Sequence, residues 1–298
     1  MKDGKSEYSA VHGHITSTAS IYLPIARKYG VPLLIAHARS AGTDPGPKGM
    51  ATRFLRKNLY KHCDVMLACS DMAGDSVFGS GRDYVFMPNA IDTKEFSYDE
   101  DARKKIRGEY GIGDDKILIG HVGSFRYAKN HAFIIEVFKL LSQDSDRYRL
   151  MLVGDGTLRS EIEAKVSALG LAGKVIFTGN QSPVAPYYQA FDLLFFPSHY
   201  EGMPGTVAEA QASGLSCIIS DAISDQVVFT DNVTMMSLDE SASVWANKIK
   251  RLAENGSDAD LRKVVKTLSG KPLDETLYDV GMQVEYYGKL YTKAGGEG

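Results

Sequence analysis

The 298-residue sequence holds only three cysteines, Cys63, Cys69 and Cys217, scattered along the chain. An odd, scattered set argues against a disulfide-built scaffold, and the spacing fits no cysteine metal site, so reduced core residues are expected. Strong charge of either sign is missing too, with 34 Lys and Arg against 37 Asp and Glu and a net charge of -3. No positive field argues for nucleic acid as a partner. No run approaches the roughly eighteen apolar residues of a membrane helix. The opening MKDGKSEYSA lacks the apolar core of a signal peptide, so a cytoplasmic location is the expectation. Internal repeats are absent, and low complexity is confined to the tail GGEG.

What is present is an alternation of short apolar runs with helix-like stretches, the pattern of parallel sheets wound with helices. Strands are expected at 8–12, 32–37, 65–69 and 84–87, with helices at 16–29, 51–61 and 72–78 between them. After PNAID (88–92) a charged stretch, TKEFSYDEDARKKIRGEYGIGDD, reads as the passage between domains near residue 93. Further strands are expected at 117–122, 149–153, 174–178, 193–196 and 215–220, with 233–238 weaker, and helices at 131–142, 158–169, 184–190, 204–212 and 241–254. The fold class is therefore α/β, with two doubly wound, Rossmann-like parallel-sheet domains, of which the first is incomplete. They would span 1–92 and 93–276.

The chain centres on PSHYEGMPGTVAEAQASGLSCIIS, residues 197–220. A buried strand would end at Phe196, a polar loop would carry Glu201 and Gly202, and Pro204 suits the first helical position, where its missing N–H costs nothing. The N–H groups of Gly205, Thr206 and Val207 would face outward at the positive end of the helix dipole, an anion site. Glu209 would lie about 7.5 Å along that helix. Two carboxylates bracketing a helix start can accept hydrogen bonds from hydroxyl pairs of a ribose and a hexose, with phosphates between them. Taken alone, two glutamates eight residues apart fit an ordinary helix with a glycine stop at Gly214 equally well.

Here the sequence resembles the retaining family 4 glycosyltransferases of the glycosyltransferase B fold, whose pattern runs roughly PS..EG.P....EA.ASG.P. Ser216 stands where proline is usual. PNAID resembles the family's interdomain NG.D hinge with Ala90 for glycine, and FTGNQSPVAPYYQAFDLLFFPS resembles a second family stretch. The resemblance implies that 277–293 forms a last helix crossing back to the first domain. It also implies an N-terminally truncated member, lacking early strands and a glycine-rich loop, which binds donor but transfers sugar poorly.

GSFRYAKNH (123–131) places two cations on a strand-to-helix loop, where they can neutralise a leaving diphosphate without a metal ion. The resemblance matches Lys129 to a family lysine and sets Arg126 two residues beyond the usual arginine position, at Ser124. It also gives Glu201 the donor-sugar hydroxyls, Met203 to Thr206 (with Pro204 and Gly205 between) the sugar or phosphate oxygens through backbone N–H groups, Glu209 the ribose diol, and the backbone near Asn180 the base. His37, at the end of an apolar strand, resembles a family histidine that helps hold the transferring sugar; a strand-end histidine is also quite often just a packed or capping residue. His12 and His14 read as structural or acceptor-side, a pair too small for zinc. VGDGTLR reads as a turn, and the triplets at 99–101, 144–146 and 258–260 as solvated helix starts rather than metal-binding Asp-x-Asp motifs.

The function so implied is transfer of a sugar from a nucleotide-diphosphate donor to a sugar or lipid-linked glycan acceptor, with retention and without cofactor or metal, in surface polysaccharide or glycan synthesis. Two other readings stay open: a donor-binding module without turnover of its own, and a nucleotide-sugar epimerase of the same fold. Peripheral association with the inner face of the membrane and self-association are further expectations.

Overall fold

The computed structural model describes residues 7–39, 46–255, 262, 265 and 267–295. The chain divides into two units, one comprising the residues up to Ala90 together with those from Asp274 onward, the other Ile91–Leu273.

In the first unit, β1 (Ala10–Gly13), β2 (Leu33–Ala38), β3 (Val65–Ala68) and β4 (Val85–Phe86) form a parallel sheet in sequential order. Between them run α1 (Thr16–Lys28), α2 (Pro47–Arg56) and α3 (Asp71–Phe78). The expected helix at 51–61 starts earlier, at a proline whose fixed φ suits a first turn, and gives way to a separate 3-10 turn at Leu59–Lys61. β2 is buried at every position. One face of the sheet packs Leu33, Ile35, Leu67 and Met87 against Leu277, Tyr286, Tyr287, Leu290 and Tyr291. The last four belong to the C-terminal helix Val280–Gly295, which Gln283 ties down by donating to the carbonyls of Pro88 and Leu277, each at 2.7 Å.

The second unit begins at Ile91, just before the stretch read as a charged passage, which in fact carries two helices, α4 (Thr93–Phe96) and α5 (Glu100–Glu109). Asp92 and Asp99 cap them, each carboxylate accepting from two backbone N–H groups, so the first Asp-x-Asp triplet is indeed a helix start. Then follow β5 (Ile117–Val122), α6 (His131–Asp144), β6 (Tyr148–Val153), α7 (Arg159–Ala168), β7 (Val175–Gly179), α8 (Ala185–Ala190), β8 (Leu193–Phe196), α9 (Gly205–Ala212), β9 (Cys217–Ser220), β10 (Val233–Met236) and α10 (Ala242–Asn255). The second triplet sits at the end of α6, not at a helix start. Its Asp146 answers Lys116, Lys174 and Arg149, and the third triplet lies outside the described residues.

All six strands are parallel, in the order β10-β9-β8-β5-β6-β7. The chain therefore winds one way from β5 to β7 and then jumps to β8 on the other side of β5. In such sheets the crevice at the carboxyl ends of the two strands flanking the jump is where ligands bind. Ile117 and Ile119 on one face of β5 join Phe138, Leu150, Phe195 and Trp245 in the main core.

Candidate functional site

The loops leaving β5 and β8 meet at that crevice. The 123–130 loop ends in Asn130, held at φ 55° and donating from Nδ2 to the Pro197 carbonyl at 3.1 Å. His199 N–H donates to the Ala128 carbonyl at 2.8 Å, and the Tyr127 and His199 rings stack with centroids 4.5 Å apart. These contacts set Lys129 Nζ 2.6 Å from a carboxylate oxygen of Glu201, both side chains largely covered, with the ammonium 4.6 Å above the Phe196 ring. The two residues assigned separately to diphosphate and sugar are thus joined as a pair in the ligand-free chain. Arg126 is exposed beside them and has no ion-pair partner among the described residues.

Gly202 leads to Met203 and Pro204, both buried, and Pro204 is the cap of α9 rather than its first helical residue. One turn is affected. The Val207 N–H already donates to the Pro204 carbonyl at 3.2 Å, contrary to the expectation that it faces outward, while Gly205 and Thr206 keep the first places of the helix. The Thr206 hydroxyl donates to the Val122 carbonyl at 3.3 Å, joining α9 to the end of β5. On the next turn, Glu209 accepts from the Tyr188 hydroxyl at 2.6 Å. Burial raises its carboxyl pKa, opposed by the Tyr188 hydrogen bond and aided by the Glu95 charge.

That shift has a sign. A carboxyl whose folded pKa lies above its unfolded one adds stability below the ordinary carboxylate range and loses it as pH rises through the raised value. Glu209→Gln keeps an acceptor for Tyr188 without the buried charge. It should melt above the parent at neutral pH, the gap closing in acid, and equal melting temperatures at neutral pH would count against this.

The VGDGTLR segment is more than a turn. Gly154 has φ +136°, and a Cβ there would lie 2.2 Å from the Gly123 carbonyl oxygen; one on Gly156 would lie 2.7 Å from the Phe125 backbone. Both glycines let this loop close against the cationic loop. Asn180 is exposed just past the end of β7.

Two histidines escaped the sequence reading. His121 is fully buried with Nδ1 2.9 Å from the Phe195 carbonyl oxygen, and its ring meets that of His131, which stacks on Phe125 at 4.0 Å. Burial lowers both pKa values, that of His131 to about 4. They are neutral packing beneath the loop, which leaves Lys129 as its inward charge. A histidine at the carboxyl end of a strand was the available signal, used for His37 but not here.

His37 belongs to the first unit, buried at the end of β2 with His12 and His14 beside it. Burial, then the neighbouring His12 and Arg39, hold its pKa down to about 3, and burial with His14 takes that of His12 to about 4. One nitrogen from each of the three lies within 4.8 Å of the others, so the pair read as too small for zinc gains a third member.

The family profile described as Glycosyl transferases group 1 matches residues 102–267, more than half of the chain. The chain belongs to this family. The putative glycosyltransferase EpsF of Bacillus subtilis (strain 168) is 35% identical over 257 residues, 84% of this chain and 67% of EpsF. An Escherichia coli protein, UDP-Gal:alpha-D-GlcNAc-diphosphoundecaprenol alpha-1,3-galactosyltransferase, is 24% identical over 231 residues, 73% of this chain and 59% of that one. The chain thus spans about two thirds of EpsF and less of the other relative. Among solved structures, Anabaena Alr3699/HepE in complex with UDP superposes with a TM-score of 0.80 at 17% identity, over 95% of this chain and 78% of HepE. Sucrose-phosphate synthase from Thermosynechococcus elongatus gives a TM-score of 0.76 at 19% identity, over 95% and 73%. The fold is the glycosyltransferase B type that the resemblance implied, with two Rossmann-like domains.

Proposed function

We propose that this group 1 glycosyltransferase moves a sugar from a nucleotide-diphosphate donor to a glycan acceptor in surface polysaccharide synthesis, with retention at the anomeric carbon. The observation that carries the reading is the Lys129 and Glu201 pair at the crevice between β5 and β8, with the start of α9 and Glu209 alongside. Lys129 and Arg126 take the diphosphate, the first N–H groups of α9 the phosphate or sugar oxygens, and Glu201 the sugar hydroxyls. Glu209 takes the ribose diol, and the backbone at Asn180 the base. Donor binding then requires no metal ion, because the cations and the helix start supply the positive field.

A uridine donor and a lipid-linked acceptor at the inner membrane face are proposed by likeness to HepE, solved with UDP-glucose, and to the E. coli enzyme named for a diphosphoundecaprenol acceptor. No helix among the described residues is long and apolar enough to cross a membrane.

The test is release of nucleoside diphosphate when acceptor is added to the chain and a nucleotide sugar, with the product's anomeric configuration read by NMR. Binding without release under any acceptor would instead identify a donor-binding module, and an inverted product would remove the claim of retention. Glu209→Ala should weaken donor binding by about 1 to 3 kcal/mol, the range for hydrogen bonds to charged groups. Calorimetry in chelator checks both this loss and independence from metal; equal affinities for variant and parent would remove Glu209 from the site.

A further inference from the structure

The second helix of the first unit, α2, lies against α1 and α3 and turns a mixed apolar and basic face outward. Residues 46–63 hold five cations, Lys48, Arg53, Arg56, Lys57 and Lys61, and no Asp or Glu, in a chain whose net charge is -3. At about 100° per residue, Met50, Arg53, Phe54 and Lys57 fall on one side of the helix. All four are exposed, while Thr52 and Leu55 are half-buried and Arg56 is buried. Phe54 is 78% exposed and Met50 65%. Lys61, in the 3-10 turn that follows, is exposed as well, and the Arg82 guanidinium stacks 3.4 Å from the centroid of the neighbouring Tyr60 ring. Asp64, the next acid along the chain, is engaged elsewhere, accepting from Arg27 at 2.6 Å and from the Leu34 N–H at 2.8 Å. Arg53, Lys57 and Lys61 have no ion-pair partner among the described residues.

Cations in the last turn of a helix are ordinary, because they face the negative end of its dipole, and a single exposed apolar side chain needs no explanation. Neither accounts for a phenylalanine and a methionine one turn apart, bared between cations in a segment without acids. A helix that flanks apolar side chains with lysine and arginine suits the plane of a bilayer surface, its apolar side chains below the headgroups.

We propose that this face of α2 docks the chain on a bilayer of anionic lipid, with Phe54 and Met50 entering the acyl boundary and Arg53, Lys57 and Lys61 meeting headgroup phosphates. Long basic side chains fit this arrangement, since their stems cover apolar surface while their heads reach the phosphates. The helix is already folded on α1 and α3, so docking carries no cost of forming it. Lipid fits better than nucleic acid: both offer phosphates, but only a bilayer takes up two apolar side chains beside them. The proposal rests on the reading of a lipid-linked acceptor for its purpose, since it names the surface that brings the chain to that acceptor, but not for its test.

The test is co-sedimentation of the full chain with vesicles of phosphatidylcholine, alone or mixed with phosphatidylglycerol, in the absence of nucleotide sugar. Binding should need the anionic lipid and weaken as salt is raised. Arg53→Gln and Lys57→Gln should each lower the partition coefficient about fivefold, and Phe54→Ala about tenfold. Lys105→Gln, which removes an exposed lysine from the second unit, should leave it unchanged. All these positions are exposed, so circular dichroism should match that of the parent. Phe54→Trp gives a direct reading, because Trp245 is buried in the second unit: emission should shift to the blue when the anionic vesicles are added. No blue shift, equal binding to the neutral vesicles, or Phe54→Ala binding as the parent does would overturn the docking surface. So would an oligonucleotide that displaces the parent and the Phe54→Ala chain alike. Transfer to a lipid-linked acceptor in detergent, by a chain that fails these tests, would leave the acceptor reading standing without the surface. Vesicle binding that depends on Phe54 would support the surface even where no such transfer occurs.

Discussion

Replacing Asp192 with alanine is expected to destabilise the second unit by about 3 to 5 kcal/mol, the usual cost of removing one partner from a buried ion pair. Asp192 is 5% exposed and accepts from Arg103 Nη2 at 2.6 Å, Arg107 Nη1 at 3.1 Å and the Leu118 N–H at 2.7 Å. It pins the start of β8 to β5, the two strands whose far ends carry the candidate site. The arginines also donate to the carbonyls closing α8, Arg103 to Gln189, Ala190 and Phe191 and Arg107 to Ala190. Arg262 reaches the same carbonyls, and burial lowers its pKa to about 10. Without Asp192, these guanidinium groups would face only partial negative charges in a covered place. Urea unfolding followed by the fluorescence of Trp245, the single tryptophan, reports this unit because its ring is buried in the unit's core. A loss below about 1 kcal/mol, the worth of a surface pair, would refute the assignment.

That network shows where sequence reading stops. DEDARKKIRGEY looks like solvated charge because nothing local reveals that Arg103 and Arg107 lie over a carboxylate nearly ninety residues away. The strands were legible since apolar runs in a parallel sheet are buried on both faces, and β5 and β8 fall at the bounds expected. The loop carrying Glu201 and the start of α9 were legible through Pro204 and the glycines, to within one helical position. Local spacing could not show Lys129 and Glu201 as partners, since that contact depends on β5 and β8 being neighbours out of sequence order. Nor could it show His37 joining His12 and His14, which needs the register of β1 on β2.

Lys129→Ala is expected to lower the rate of sugar transfer by about 10² to 10³, the range for losing one preorganised donor to a developing negative charge. The step breaks the bond between the anomeric carbon and the diphosphate, and the leaving group gains charge as it departs. On the proposed reading Lys129 meets that charge from a loop fastened to the β8 side by His199 and Asn130, which would place its ammonium before the donor arrives. In the ligand-free chain it is held on Glu201 at 2.6 Å, which keeps both groups compensated; donor phosphates and sugar hydroxyls would replace each partner for the other. The variant leaves the Glu201 carboxylate unpaired, so part of the effect should appear in donor affinity, and Lys129→Arg should restore part of it by keeping the charge. A comparison of nucleoside diphosphate with monophosphate isolates the contact. The parent should prefer the diphosphate, and Lys129→Ala should lose most of that preference while binding the monophosphate nearly as before. Transfer within threefold of the parent, or a diphosphate preference that survives the substitution, would mean that Lys129 serves only to hold Glu201 in place.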